Sequence, residues 1–231
     1  MFDGQFYPYQ PLQFMDGLLS PIMGVGSPMT VSFLASAVVT TTTVTIPATA
    51  AAGDIAFLID AIIDGTITSV RPSGWTNIDE VAVTGQGSNS IRMICSYKIL
   101  GSGDPGSSVT GMASANPARK TMLVFRGSRA ITSCVPATPV SSQTNNVAGN
   151  PSALTIAASA GNAPSVSIAS WRSSSTITGR VFSPASDAEV ANGTTMYTAY
   201  KSYDSSPLDT ALTMTAGTGT KIQEGFYAVL S

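Results

Sequence analysis

The sequence predicts an all-β fold: a two-sheet antiparallel sandwich, jelly-roll-like, preceded by an extended N-terminal arm. Three observations predict it. Short runs rich in Val, Ile and Thr recur from residue 30 onward. Turn signals such as Asp64-Gly65, Pro72-Ser73-Gly74, Asp104-Pro105-Gly106 and Asn192-Gly193 separate them at near-regular spacing. No segment carries the 3.6-residue apolar period of an amphipathic helix.

Residues 1–29 come first and differ from the rest. They hold Phe2, Phe6, Tyr7, Tyr9 and Phe14, five of the 17 aromatic residues, together with Pro8, Pro11, Pro21 and Pro28. The prolines forbid a long helix or a central strand, and exposed aromatics are an aggregation hazard. The segment therefore reads as an assembly arm whose aromatics pack on a partner or a neighbouring copy. Packing back on its own domain is the alternative.

Residues 30–231 form the sandwich domain. Residues 30–39 and 40–46 are β-branched and read as strands. Residues 54–63 are nearly continuous apolar sequence, which predicts a central strand covered on both faces. In residues 90–100, Ile91, Met93, Cys95 and Tyr97 alternate with Arg92, Ser96 and Lys98, as in a half-buried strand. Residues 120–125, 154–157, 165–171, 194–203, 211–215 and 222–230 complete the set. The halves 30–135 and 136–231 look alike. Val44-Thr45-Ile46-Pro47-Ala48 precedes one apolar strand and Leu154-Thr155-Ile156-Ala157-Ala158 precedes another, and Tyr97-Lys98 has a counterpart in Tyr200-Lys201. A duplication gives this pattern; so does the demand that facing sheets repeat similar lengths.

Composition narrows the function. Only 10% of the 231 residues are charged, against about 25% in a typical domain. The 43% hydrophobic content and net charge of −2 exclude a disordered chain. So weakly charged a surface suits coverage by neighbours better than life as a free monomer. The first basic residue is Arg71 and no Lys/Arg cluster exists, which argues against nucleic acid. No apolar run reaches the roughly 18 residues of a membrane span, so membrane insertion is not expected. The N-terminus lacks a basic n-region, which predicts use without export. Cys95 and Cys134 read as buried thiols, with a single bridge as the lesser alternative.

Catalysis is poorly supplied. The chain has no histidine, which excludes Ser-His-Asp and Cys-His pairs and every histidine-based metal site. Glycoside hydrolysis needs two suitably spaced carboxylates, and nothing pairs Glu80, Glu189 and Glu224 in sequence. Asp60, Asp64, Asp79 and Glu80 are the densest acidic group. Their oxygens suit Ca²⁺, but the spacing matches no calcium loop, and turn residues or solvated strand ends are expected. Trp75 follows a tight turn and is expected to plug one end of the core. Trp171, followed by Arg172, is the candidate glycan contact, by stacking on a sugar face; a place at the core edge is its alternative reading. The expectation is a non-enzymatic protein without cofactors.

One family resemblance follows the chain order. Gly53-Asp54 opens an apolar strand; Pro72-Ser73-Gly74-Trp75-Thr76 comes next; Tyr97-Lys98 has Gly103-Asp104 close behind; a strand ends Phe125-Arg126-Gly127; Pro136-Ala137-Thr138-Pro139-Val140 follows. This pattern resembles the β-sandwich modules of structural proteins in tailed bacteriophages and of some bacterial surface proteins. It covers residues 30–231 and carries no catalytic residues. The resemblance implies a virion component assembled in the host cytoplasm: a capsid decoration or cement protein, or alternatively a tail, baseplate or fibre subunit with a receptor- or carbohydrate-binding sandwich. The partners it implies are copies of the chain itself in a homo-oligomer, a trimer first; other virion proteins such as the major capsid protein or tail proteins; and a host surface glycan.

Overall fold

A computed structural model describes residues 28–64, 70–112, 118–158 and 164–231, so Phe2, Phe6, Tyr7, Tyr9 and Phe14 lie outside the described residues. The described chain is an all-β, antiparallel sandwich. Its first half contains β1 (Val31–Val39), β2 (Thr43–Thr45), β3 (Ile55–Ile63), β4 (Thr76–Val83), β5 (Ile91–Ile99), β6 (Ser108–Thr110) and β7 (Arg119–Gly127). The second contains β8 (Cys134–Pro136), β9 (Val140–Val147), β10 (Leu154–Ile156), β11 (Ser165–Ser173), β12 (Ile177–Ser183), β13 (Ala188–Ala191), β14 (Met196–Tyr203), β15 (Thr210–Ala216) and β16 (Gly219–Leu230).

The first half forms a five-stranded sheet in the order β1-β7-β3-β5-β4 and a small β2-β6 sheet. In the second half, β13-β14-β11-β16 continues to β8, β9 also pairs with β16, and β10-β15-β12 forms a separate sheet. Matching β9 to β1, β16 to β7, β11 to β3, β14 to β5 and β13 to β4 gives one pairing order twice. The small sheets follow suit, β10-β15 matching β2-β6.

The two large sheets pack face to face, and strand periodicity shows why. In β3, Ile55, Phe57, Ile59 and Ala61 point into the shared core, where they meet Ile168, Tyr200, Phe226 and Leu230 of the second half. The alternate residues Ala56 and Leu58 point the other way, against Val44, Ile46 and Val109 of the small sheet. The second half does likewise: Ala169, Trp171 and Tyr227 face Ile156, Leu212 and Met214. The result is four layers, with the large sheets covered on both faces. The nearly continuous apolar run of β3 is the sequence signature of that position, whereas β11, buried throughout, interleaves serines with its apolar residues. Aromatic rings fill the shared core: Phe33 stacks on Tyr200 with centroids 4.7 Å apart, and Phe125 meets Tyr200 edge-on at 5.2 Å.

The structure adds and trims elements. β4, β8, β9, β12 and β13 are strands that the sequence reading passed over, and residues 40–46 reduce to the three residues of β2. Met29, read as the end of the arm, is buried in the shared core. Cys95 and Cys134 are both free and buried.

Candidate functional site

A cleft of about 300 Å³ with polar chemistry on its walls lies over Trp75 in the first half. Two turns build it. Trp75 N donates to Pro72 O at 3.2 Å, closing a turn whose third residue, Gly74, has φ +76°. Ser107 N donates to Asp104 O at 2.9 Å across Pro105-Gly106, with Gly106 also at φ +76°. Both have the form of a type II turn, which demands positive φ at that position and so selects glycine. The first turn aims the indole under the cleft; the second carries Asp104 to its rim.

Ile46, Pro72, Trp75 and Val109 form the floor. Trp75 is 8% exposed as a residue and lines the cleft, while its side chain packs with Leu58 and Val124 in the core beneath. The rim is polar, with Ser73, Ser108 and Thr110 beside the Lys98–Asp104 ion pair. Lys98 Nζ donates to Asp104 Oδ1 at 2.6 Å, and Gly101 N donates to Oδ2 at 2.7 Å. Those donors, Lys98 foremost, hold the Asp104 carboxyl below its usual range, so it stays an ionised acceptor. The rim therefore presents fixed donors and acceptors with no net charge.

The sequence-predicted contact at Trp171 and Arg172 is corrected by burial. Trp171 is 0% exposed and belongs to the core of the second half, so neither ring face can stack on a sugar. Arg172 is 1% exposed; it donates to the carbonyls of Ser173 and Thr195 and to Thr195 Oγ1. Burial, with Arg119 nearby, brings the Arg172 guanidinium down to about 9. Asp60 is corrected too: it is no solvated strand end. Its Oδ1 accepts from Lys120 Nζ at 2.6 Å and its Oδ2 from Met112 N at 2.7 Å, within a small apolar cluster that includes Ile62 and Ile94. Burial lowers Lys120 and raises Asp60, each against its partner's pull. Glu80 pairs with Arg92, and Asp79 is half-buried. Among the described residues no group of three or more metal-ligating side chains forms.

The sequence reading missed two features. Lys98 and Asp104 were visible as a strand end and a turn, but their convergence over Trp75 comes from tertiary pairing. Glu224 was legible in principle: it shares the strand face of Ile222, Phe226 and Ala228, which is the core face. It is 1% exposed, no nitrogen or oxygen donor reaches its carboxylate oxygens, and the Cys95 thiol lies beside it. Burial, with the Asp79 carboxylate adding to it, pushes Glu224 up to about 8.

Charge is also largely paired within the chain, mostly at its surface. Of eleven basic residues, six pair with carboxylates of the chain. Lys221 donates to the carbonyls of Val147 and Gly149, and Arg119 to Asn192 Oδ1. Arg71 and Arg129 are left exposed and outside any ion pair among the described residues.

Comparison of the chain with protein-family models, with curated proteins and with solved structures finds no match.

Proposed function

We propose that the chain is a non-enzymatic structural subunit of a tailed-phage virion, a capsid decoration or cement protein anchored through residues 1–29. The observation that carries this reading is the pairing of charge within the chain. A surface left with so few free cations is weakly repelled by neighbours of either sign and suits close packing in an assembly. The aromatic-rich segment 1–29 supports it, because burying apolar surface contributes about 25 cal/mol per Å² before ordering costs. The subunit would assemble as a symmetric homo-oligomer, a trimer in the simplest case, beside the major capsid protein. A place on the tail, baseplate or fibre is the second reading, and the polar-rimmed cleft over Trp75 is what favours it.

The test is deletion of residues 1–27, which leaves Met29 in the shared core. The expected product is a folded β domain that no longer incorporates into particles; normal incorporation of the truncated chain overturns the anchoring role. Gold-labelled antibody against residues 30–231 separates the readings, marking heads if the protein decorates capsids and tails if it serves adhesion.

A further inference from the structure

We propose that the cleft over Trp75 is a binding site for a neutral pyranose sugar. The volume, about 300 Å³, lies at the small end of ligand pockets, roughly 300–1,000 Å³, and favours one or two rings over a longer occupant. The walls match a molecule with one C–H face and a hydroxyl-bearing edge. Trp75 and Val109 offer an apolar floor, while Ser73, Ser108 and Thr110 stand at the rim. Aromatic side chains with a polar surround are suited to such amphipathic partners.

The Lys98–Asp104 pair supplies directionality. Each Asp104 oxygen has one donor from the chain, Lys98 or Gly101, and keeps a second acceptor site. Lys98 uses one of its three N–H donors on Asp104 and is 29% exposed. Adjacent sugar hydroxyls, each both donor and acceptor, fit this arrangement of one acceptor and one donor. The two charges cancel within the rim, so the site selects against sialic or uronic acids. The turns at Gly74 and Gly106 fix these groups before the ligand arrives, which limits the ordering cost of binding. The proposal is independent of where in a particle the protein sits.

The experiment is an array of neutral and acidic glycans probed with the full chain, followed by titration of the neutral hits by saturation-transfer NMR and tryptophan fluorescence. Because Trp171 is wholly buried, a ligand-dependent emission change reports on Trp75. Trp75 is itself a core residue, so the variants are Ser108→Tyr, which fills the cleft from an exposed strand position, and Asp104→Asn. Binding of neutral glycans is expected, with at least a tenfold loss of affinity in both variants and a nearly unchanged melting temperature in Ser108→Tyr. The absence of any neutral hit overturns the proposal, as does binding that survives Ser108→Tyr undiminished or is confined to acidic glycans.

Discussion

Glu224 makes the shared core sensitive to alkali. Its carboxyl titrates near 8 in the folded chain against an ordinary value of 4.5. The folded state therefore holds a proton that the unfolded state releases between those values. Stability contributed by the neutral form is full below about pH 4.5, declines as pH rises toward 8, and levels off above. The loss is on the order of a few kcal/mol at one pKa unit per 1.36 kcal/mol. Glu224→Gln is expected to flatten this decline, and urea unfolding at pH 5, 7 and 9 measures it; equal pH slopes for the two proteins would refute the assignment. Lys120 and Asp60 behave differently because each neutralises the other. Lys120→Met strands the Asp60 carboxylate inside the fold and is expected to cost roughly 3–5 kcal/mol. Adding Asp60→Leu should recover most of that loss in the same denaturation assay. Gly111 belongs to the same device: a Cβ there would run into the Asp60 carboxylate, so only glycine lets the backbone carry the Met112 amide onto Oδ2.

At the level of elements, the turns decide the shape of the candidate site. Gly106→Ala forces an L-residue to φ near +76°, at a cost of about 1–2 kcal/mol. It is expected to lower the thermal midpoint and weaken any ligand at the Trp75 cleft together, whereas Gly103→Ala, an exposed glycine with open space for a Cβ and no positive φ, should leave both unchanged. The central strand β3 was legible because burial on two faces writes a nearly unbroken apolar run, interrupted only by Asp60. β9, with the sequence VSSQTNNV, was not: it pairs along β16 at the sheet edge, and most of its side chains meet solvent. An edge strand needs backbone partners more than apolar side chains, so its composition carries little signal. Burial of Trp171 was equally hidden. Position at a strand end suggested access, but the β10-β15-β12 sheet covers that face, and a covering layer supplied from distant segments leaves no local mark. The Trp75 cleft is the converse: each turn is plain in the sequence, while their meeting depends on the β4–β5 pairing that sets Thr76 opposite Tyr97.

For the molecule as a whole, the shared core ties the halves into one folding unit. Each half alone would expose Phe57 and Phe125 or Ile168 and Phe226, which the other covers. Polar ties reinforce this: Asn192 Nδ2 donates to Val39 O and Lys120 O, both at 3.0 Å, and Tyr97 Oη donates to Cys134 O at 3.1 Å. Calorimetry is expected to give one transition with equal calorimetric and van't Hoff enthalpies. Two resolved transitions would mean that the pairing repeat comprises separately stable units. The same integration governs the place where residue 28 enters the sandwich. Met29 is sunk in the core common to both halves, Thr30 exchanges backbone and hydroxyl bonds with Ser128, and Val31 N donates to Asp204 Oδ1 of the second half at 3.0 Å. Tension applied through the preceding segment thus enters both halves together, at the first residues of β1 and the eight residue pairs that join it to β7.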